Sequence, residues 1–301
     1  MPSFRLNTDE FATAYSFVYS LQDQEKKLFH HATQQTLSIS GIKAVWYRKL
    51  WELTTPTDLD PDYLTIFKQE YQTALQILFQ SLNHLPWINQ IQNSATINGN
   101  KLLQLEMASA FGLLVPRTIL TNSPAEVKQF FKANEGNLIM KLHGSLKKSM
   151  DGRASFFPTS LLTEEDLNEL DSIQYCPMIF QQAIEKQYEL RVVFIDGEFF
   201  TGKIIAPSDQ NHGSSDWRTS SATDAQWERY KLPEEVKSKL TNLMQKMNLS
   251  FGAIDIIRQP DGQYVFLEVN PEGEWGMLQR DLNYPIGETI AETLLQKIKN
   301  G

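Results

Sequence analysis

The sequence predicts an α+β fold, with strands and helices in mixed order and hairpins late in the chain. Three observations carry this. Residues 251–275, FGAIDIIRQPDGQYVFLEVNPEGEW, read as two strands rich in Ile, Val, Phe and Tyr around Pro260-Asp261-Gly262, which is turn chemistry. Residues 188–195 and 198–205 pair across Asp196-Gly197, a hairpin signal. Stretches 61–85, 233–248 and 284–299 space their apolar residues as amphipathic helices do.

Taken in order, residues 1–98 read as an α/β unit. Val18, Tyr19, Leu21, Leu28, Phe29, Leu37 and Ile39 mark short antiparallel strands around polar turns, and 42–51 mixes strand formers with Arg48 and Lys49. Leu64, Phe67, Tyr71, Leu75, Leu78, Phe79 and Leu82 then fall on one helical stripe. Residues 100–112 are dense in helix formers and stop at Gly112. An extended link leads to the N-cap Ser123, with Pro124 at N1 and Glu126 at N3, opening a helix over 124–133. A strand at 137–142 carries Lys141, and a basic, Gly-containing turn follows at 143–153. Residues 163–170, TEEDLNEL, predict a short acidic helix with a loose capping box from Thr163 to Asp166. Residues 177–184 form a strand leaving for a hinge. The polar loop 207–224 is long enough to be functional.

Composition narrows the function. At 301 residues two or three subdomains are expected, and 41% hydrophobic with 21% charged residues is globular composition. The net charge of −8 argues against nonspecific nucleic-acid binding and suits a basic peptide partner. Cys176 is the single cysteine, so no intramolecular disulfide is possible; this fits a reducing cytoplasm, with the thiol expected in the core. No apolar run reaches membrane-spanning length, and the start is not a signal peptide. Five histidines show no metal spacing, and no GxSxG, GxGxxG or Walker A motif is present.

The chemistry-bearing residues each admit two readings. Asp255, Glu268 and Asn270 could hold a hard cation from paired strands, since side chains at 268 and 270 project from one face; the alternative is a half-exposed, solvated hairpin. Lys101 and Lys141 suit phosphate oxygens. Lys141 lies among apolar neighbours, where an ammonium without an anion is costly unless it snorkels to an edge. Lys101 reads equally as a surface lysine at a helix start. Lys147, Lys148 and Arg153 on the basic turn could close over phosphates or simply be solvated. Glu189 and Arg191 share a strand face, either for ligand or for a cross-strand ion pair. Asp216 and Arg218 offer a carboxylate-binding fork or a local salt bridge. Glu165, Asp166 and Glu169 are a binding face or a solvated one.

The phrase GAIDII followed by YVFLEVNPxGE resembles the magnesium-binding end of the ATP-grasp ligases, and the closing run GEWGMLQRDLNYPI is similar to the graspetide synthetases, which macrocyclise microviridin-type peptides. The resemblance covers residues 95–295 firmly and 1–95 more loosely. It implies an ATP-grasp fold with the nucleotide between two α/β subdomains, at 99–183 and 184–301, after an N-terminal domain at 1–98. In the family a strand and helix precede the FRLxTD phrase. Here Phe4 to Asp9 stand almost at the start, so the first strand–helix unit is expected to be absent.

The resemblance also implies roles. ATP and Mg²⁺ would be cofactors, with Mg²⁺ on Asp255, Glu268 and Asn270. Lys101 and Lys141 would hold phosphates, backbone groups of Gln181, Gln182, Ala183 and Ile184 would read adenine, and Glu189 would meet the ribose. Arg191 would stabilise the transferring phosphoryl group, and Asp216 and Arg218 would meet the peptide side chain being activated. Glu165, Asp166 and Glu169 would hold an arginine of a leader peptide. The implied activity joins Asp or Glu side-chain carboxylates of a ribosomal precursor peptide to Lys amines or Ser/Thr hydroxyls through an acyl phosphate. The KKSMDGR and GEWGMLQRDLNYPI phrases lean toward the amide-forming branch. Homodimers are common in the family. The other readings are a ligase of small molecules and a binding module without catalysis.

Overall fold

The computed structural model describes residues 2–142, 159–204 and 226–300, and the chain divides into two compact units. The first unit comprises residues 1–90 and 290–301. It opens with a single helical turn, α1 (Phe11–Ala14), and an antiparallel meander of β1 (Tyr15–Ser20), β2 (Glu25–His30) and β3 (Gln35–Ser38). Its two turns place Gln24 and Gln34 at positive φ. A short parallel pair follows, β4 (Val45–Trp46) with β5 (Trp87–Ile88), on either side of α2 (Leu64–Ser81). Phe11, Leu28, Leu78 and Ile88 are its largest fully buried side chains.

The second unit, residues 91–289, carries the chemistry. It begins with α3 (Ile91–Asn98) and α4 (Lys101–Ala110). The Asn100 side chain caps α4 by accepting from the Leu103 N–H, and Gly112 at φ +74 ends it as expected. A four-stranded antiparallel sheet in the order β6-β9-β7-β8 follows, built from β6 (Thr118–Thr121), β7 (Leu138–Lys141), β8 (Ser160–Leu161) and β9 (Met178–Gln182). The helix α5 (Pro124–Ala133), capped by Ser123 as expected, packs Val127 and Phe131 against Leu138 and Phe180 of this sheet.

The acidic segment departs from expectation. It forms two 3₁₀ turns, Asp166–Asn168 and Leu170–Tyr175, rather than an α-helix. Leu167, Leu170 and Ile173 pack into the small sheet's core, and their three-residue spacing matches three residues per turn. Cys176, expected in the core, is exposed because it caps the second of these turns on the way into β9.

The larger sheet has the order β12-β11-β10-β13-β14, formed by β10 (Tyr188–Ile195), β11 (Glu198–Ile204), β12 (Trp227–Arg229), β13 (Phe251–Arg258) and β14 (Tyr264–Asn270). Asp196 and Gly197 both have positive φ, as a two-residue hairpin turn requires. One face of this sheet, with Leu190, Val192, Phe194, Ile254, Ile256 and Phe266, is covered by α4 and by α6 (Glu234–Lys246) through Leu240, Leu243 and Met244. Each such side chain contributes about 1.5–3 kcal/mol when fully buried. The helix α7 (Gly276–Leu282) ends at Asn283 in the left-handed region, and the Arg229 guanidinium donates to the carbonyls of Leu282 and Asn283. The last helix is α8 (Ile286–Asn300).

A bulge sets the opposite face. Ile256 pairs with Phe266, but the neighbouring Asp255 pairs with Glu268, so Leu267 is the extra residue. Before it, Tyr264 and Phe266 face the helices. After it the phase reverses: Val269 joins the core, and Glu268 and Asn270 turn to the other face with Asp255. Under plain alternation Glu268, two residues after Phe266, would point into the α4–α6 core; the extra residue Leu267 is what turns it to the face of Asp255.

Candidate active site

The functional side chains come from register. In the large sheet Arg191, Asp255 and Glu268 stand side by side on three adjacent strands, because Arg191 pairs with Asp255 and Asp255 with Glu268. Glu189 lies two residues before Arg191 on the same face, and Asn270 two after Glu268. Arg191 Nη1 donates to both Asp255 oxygens, at 2.7 and 2.9 Å, and Nη2 donates to the Glu274 carbonyl at 3.2 Å. The cross-strand ion pair read from the sequence is therefore present. The Arg191 side chain is almost fully buried, and its Nε has no hydrogen-bond partner. The turn over it needs Gly273: a Cβ there would collide with the Ala253 Cβ and come within 3.1 Å of Arg191 Nη2.

Glu268 draws in the two lysines. Lys101, at the first turn of α4, lies 2.9 Å from its carboxylate, and the Asn270 amide donates to it at 3.2 Å. Lys141, at the end of β7, adds its field. Burial pushes the Glu268 carboxyl up, but Lys101, Lys141 and the Asn270 amide overcome that and hold it down at about 2. Lys141 Nζ also donates to Gln181 Oε1 at 2.9 Å, and Gln181 Nε2 donates to Thr118 Oγ1 at 2.9 Å. Gln181 is thus a buried bridge across the small sheet, and Lys141 is held by side chains rather than snorkelling.

The other candidates are placed as follows. The N–H of Gln182 donates to the Arg117 carbonyl and that of Ala183 to the Asn137 carbonyl, so the ladder runs through 183 and Ile184 is the first residue beyond it. Glu189 pairs with Lys186 at 2.7 Å. Glu165 and Glu169 are exposed. Asp166 accepts from the Thr163 N–H and hydroxyl, each at 2.7 Å, and these bonds hold its carboxyl below the ordinary range. A groove of about 790 Å³ lies beside these acids, lined by Lys128, Phe131, Lys132, Glu135, Glu165 and Leu167 among others. Asp216 and Arg218, and Lys147, Lys148 and Arg153 of the basic turn, lie outside the described residues.

Two functional features escaped sequence reasoning. One is the Leu267 bulge, which plain alternation hides. The other is Gln104, buried on α4; an amide on an otherwise apolar helical face was the available signal.

The donor set suits a hard cation shared with an anion. Asp255, Glu268 and Asn270 bring two carboxylates and a carboxamide to one face. Among the described residues no group of three or more His, Cys, Asp or Glu could hold a metal unaided. Three oxygen donors leave the rest of an octahedral shell to phosphate oxygens and water, the arrangement Mg²⁺ prefers. Lys101, Lys141 and Arg191 supply the opposing charge such phosphates need. Among the described residues no helix is long and apolar enough to cross a membrane.

A model of the RimK-like ATP-grasp domain matches residues 99–294, and one of the MvdD pre-ATP grasp domain matches residues 1–95. The fold is similar to that of the macrocyclase MdnC bound with precursor peptide MdnA from Microcystis aeruginosa. That chain is 32% identical with a TM-score of 0.84, the match covering 97% of this chain and 90% of the other. It is similar also to a RiPP-associated ATP-grasp ligase of Chryseobacterium gregarium in complex with ADP and a leader and core peptide. There the identity is 26% and the TM-score 0.88, covering 98% of this chain and 88% of that one. The alpha-aminoadipate–LysW ligase LysX of Sulfurisphaera tokodaii is 25% identical over 227 residues, 74% of this chain and 75% of that protein.

The depressed Glu268 value fixes a pH dependence. Its contribution to stability is fully present above the ordinary value of 4.5 and is lost as pH falls through about 2. The stability difference between the wild-type chain and Glu268→Gln, from urea unfolding, is expected to stay level at neutral pH and to narrow only in that acid window. Narrowing already between neutrality and mildly acid pH would contradict the assignment.

Proposed function

The chain belongs to the RimK-like ATP-grasp family, in the group that holds the graspetide synthetases, and on that premise we propose that it closes rings in a ribosomal precursor peptide. It is an ATP-dependent ligase. In the proposed reaction a side-chain carboxylate of an Asp or Glu in the peptide core attacks the γ-phosphorus of ATP, releasing ADP. A Lys amine or a Ser/Thr hydroxyl of the same peptide then attacks the acyl carbon, and phosphate leaves with loss of the nucleophile's proton. Each ring thus costs the peptide one water.

One observation carries the reading: two opposed carboxylates, Asp255 and Glu268, are met by Arg191 and Lys101, with Lys141 close by. These cations would pass to the phosphates of bound ATP. Lys101 and Lys141 would hold the phosphates, and Arg191, with its unpartnered Nε, would stabilise the transferring phosphoryl group. Asp255, Glu268 and Asn270 would hold Mg²⁺, which when bound offsets charge on phosphate oxygens. Glu189 would meet the ribose, and backbone groups of the 181–184 segment, Ile184 foremost, the adenine. Asp216 and Arg218 would orient the carboxylate being activated, and the leader would dock on Glu165, Asp166 and Glu169. The same reading takes 99–183 and 184–301 as the two ATP-grasp subdomains after an N-terminal domain at 1–98. It places the enzyme in the cytoplasm, on a microviridin-type precursor. The chain's main work is positioning and electrostatics.

The likeness to LysX favours a second reading, a ligase of a small carboxylate and an amine. ATP turnover that depends on the precursor peptide separates the two. Asp255→Asn and Glu268→Gln are each expected to slow Mg·ATP-dependent loss of water from the precursor by about 100-fold or more, measured by mass spectrometry. Dehydration retained in both variants removes the assignment. Glu165→Lys is expected to weaken precursor binding while ADP affinity, by calorimetry, stays as it was; unchanged peptide affinity would refute the leader site.

A further inference from the structure

We propose that Gln104 is a positioning residue that sets the phosphate- and metal-binding groups against one another; this rests on the ATP-dependent reading above. Gln104 is 2% exposed and uses both ends of its amide. Its Nε2 donates to the Ile97 carbonyl at 2.8 Å, and its Oε1 accepts from the Val269 N–H at 2.8 Å. Val269 is the residue between Glu268 and Asn270. Gln104 stands three residues after Lys101 on α4, so both lie on one side of the helix. One side chain therefore ties the helix turn bearing the lysine to the peptide unit between two oxygen donors. It also explains why the ion pair of Lys101 with Glu268 holds its spacing across two elements.

The strand needs this tie. β14 is the edge of its sheet, and the bulge at Leu267 interrupts its ladder with β13. Its backbone is fixed from outside at two points: the Phe266 N–H donates to the Leu114 carbonyl at 2.8 Å, and the Val269 N–H donates to Gln104. Val269 is fully buried, so its N–H has no water to turn to if Gln104 is removed. The strand would then shift or twist to find a partner, and Glu268 and Asn270 would move with it.

The test is Mg²⁺-dependent ADP binding to the full chain, by calorimetry, together with Tm. Gln104→Met keeps the volume and removes both polar contacts. It is expected to raise the Mg²⁺ concentration at half-saturation roughly 10–100-fold, as lost support behind metal ligands does. Gln104→Glu keeps an acceptor for the Val269 N–H but loses the donor to the Ile97 carbonyl, and should fall between the wild type and the Met variant; where the Met variant does not fold, a Gln104→Glu chain with the wild-type requirement overturns the role. Leu105→Ala removes core packing from the same helix and is expected to lower Tm while leaving the Mg²⁺ requirement in place. A folded Gln104→Met with the wild-type requirement, a Gln104→Glu shifted as far as Met, or a Leu105→Ala shifted as far as either, overturns the positioning role. If the wild-type chain shows no Mg²⁺-dependent ADP binding, the ATP-dependent reading falls and this role with it. Unshifted Gln104 variants beside a binding wild type leave that reading standing.

Discussion

Everything at this site depends on two carboxylates facing each other across adjacent strands. Asp255 and Glu268 are direct register partners, an arrangement that like-charge repulsion disfavours. Cations repair it. Arg191 grips Asp255 from the next strand, and Lys101 reaches Glu268 from a helix start with Lys141 behind. The site is thus an internally neutralised cluster, held together by attractions that a triphosphate and its metal would redistribute rather than create. Such preorganisation spares reorganisation when the ligand arrives.

Backbone geometry decides that these groups meet at all. The bulge lets one strand give Phe266 to the core and, two residues later, Glu268 to the opposite face. Gly273 lets the following turn close over Arg191, where any Cβ would strike Ala253. Neither Leu267 nor Gly273 carries a charge, yet each fixes where charged atoms stand.

Much of this was legible in the chain. The hairpins at 188–204 and 251–270 and the helices opening at Lys101, Pro124 and Glu234 follow from turn residues, caps and periodicity, which are local signals. The shared face of Glu268 and Asn270 was read correctly, since no bulge separates them. What was not legible is long-range. Arg191 meets Asp255 only through strand register, and Gln181 became a bridge between Lys141 and Thr118 because three strands converge on it. The acidic segment misled because its acids suggested an α-helix, while its leucines and Ile173 repeat every third residue. Cys176 misled because a lone thiol carries no mark of the connecting turn that exposes it.

The outer side of β14 has one more consequence. A sheet edge with a continuous row of free amides and carbonyls invites another chain to add a strand. Here Leu114 and Gln104 have already claimed two of the outward amides, on either side of the kink at Leu267. An extended peptide approaching from that direction finds no template to zip along. Growth of the sheet is blocked on the flank nearest the charged cluster, and whatever binds there must be gripped by its side chains.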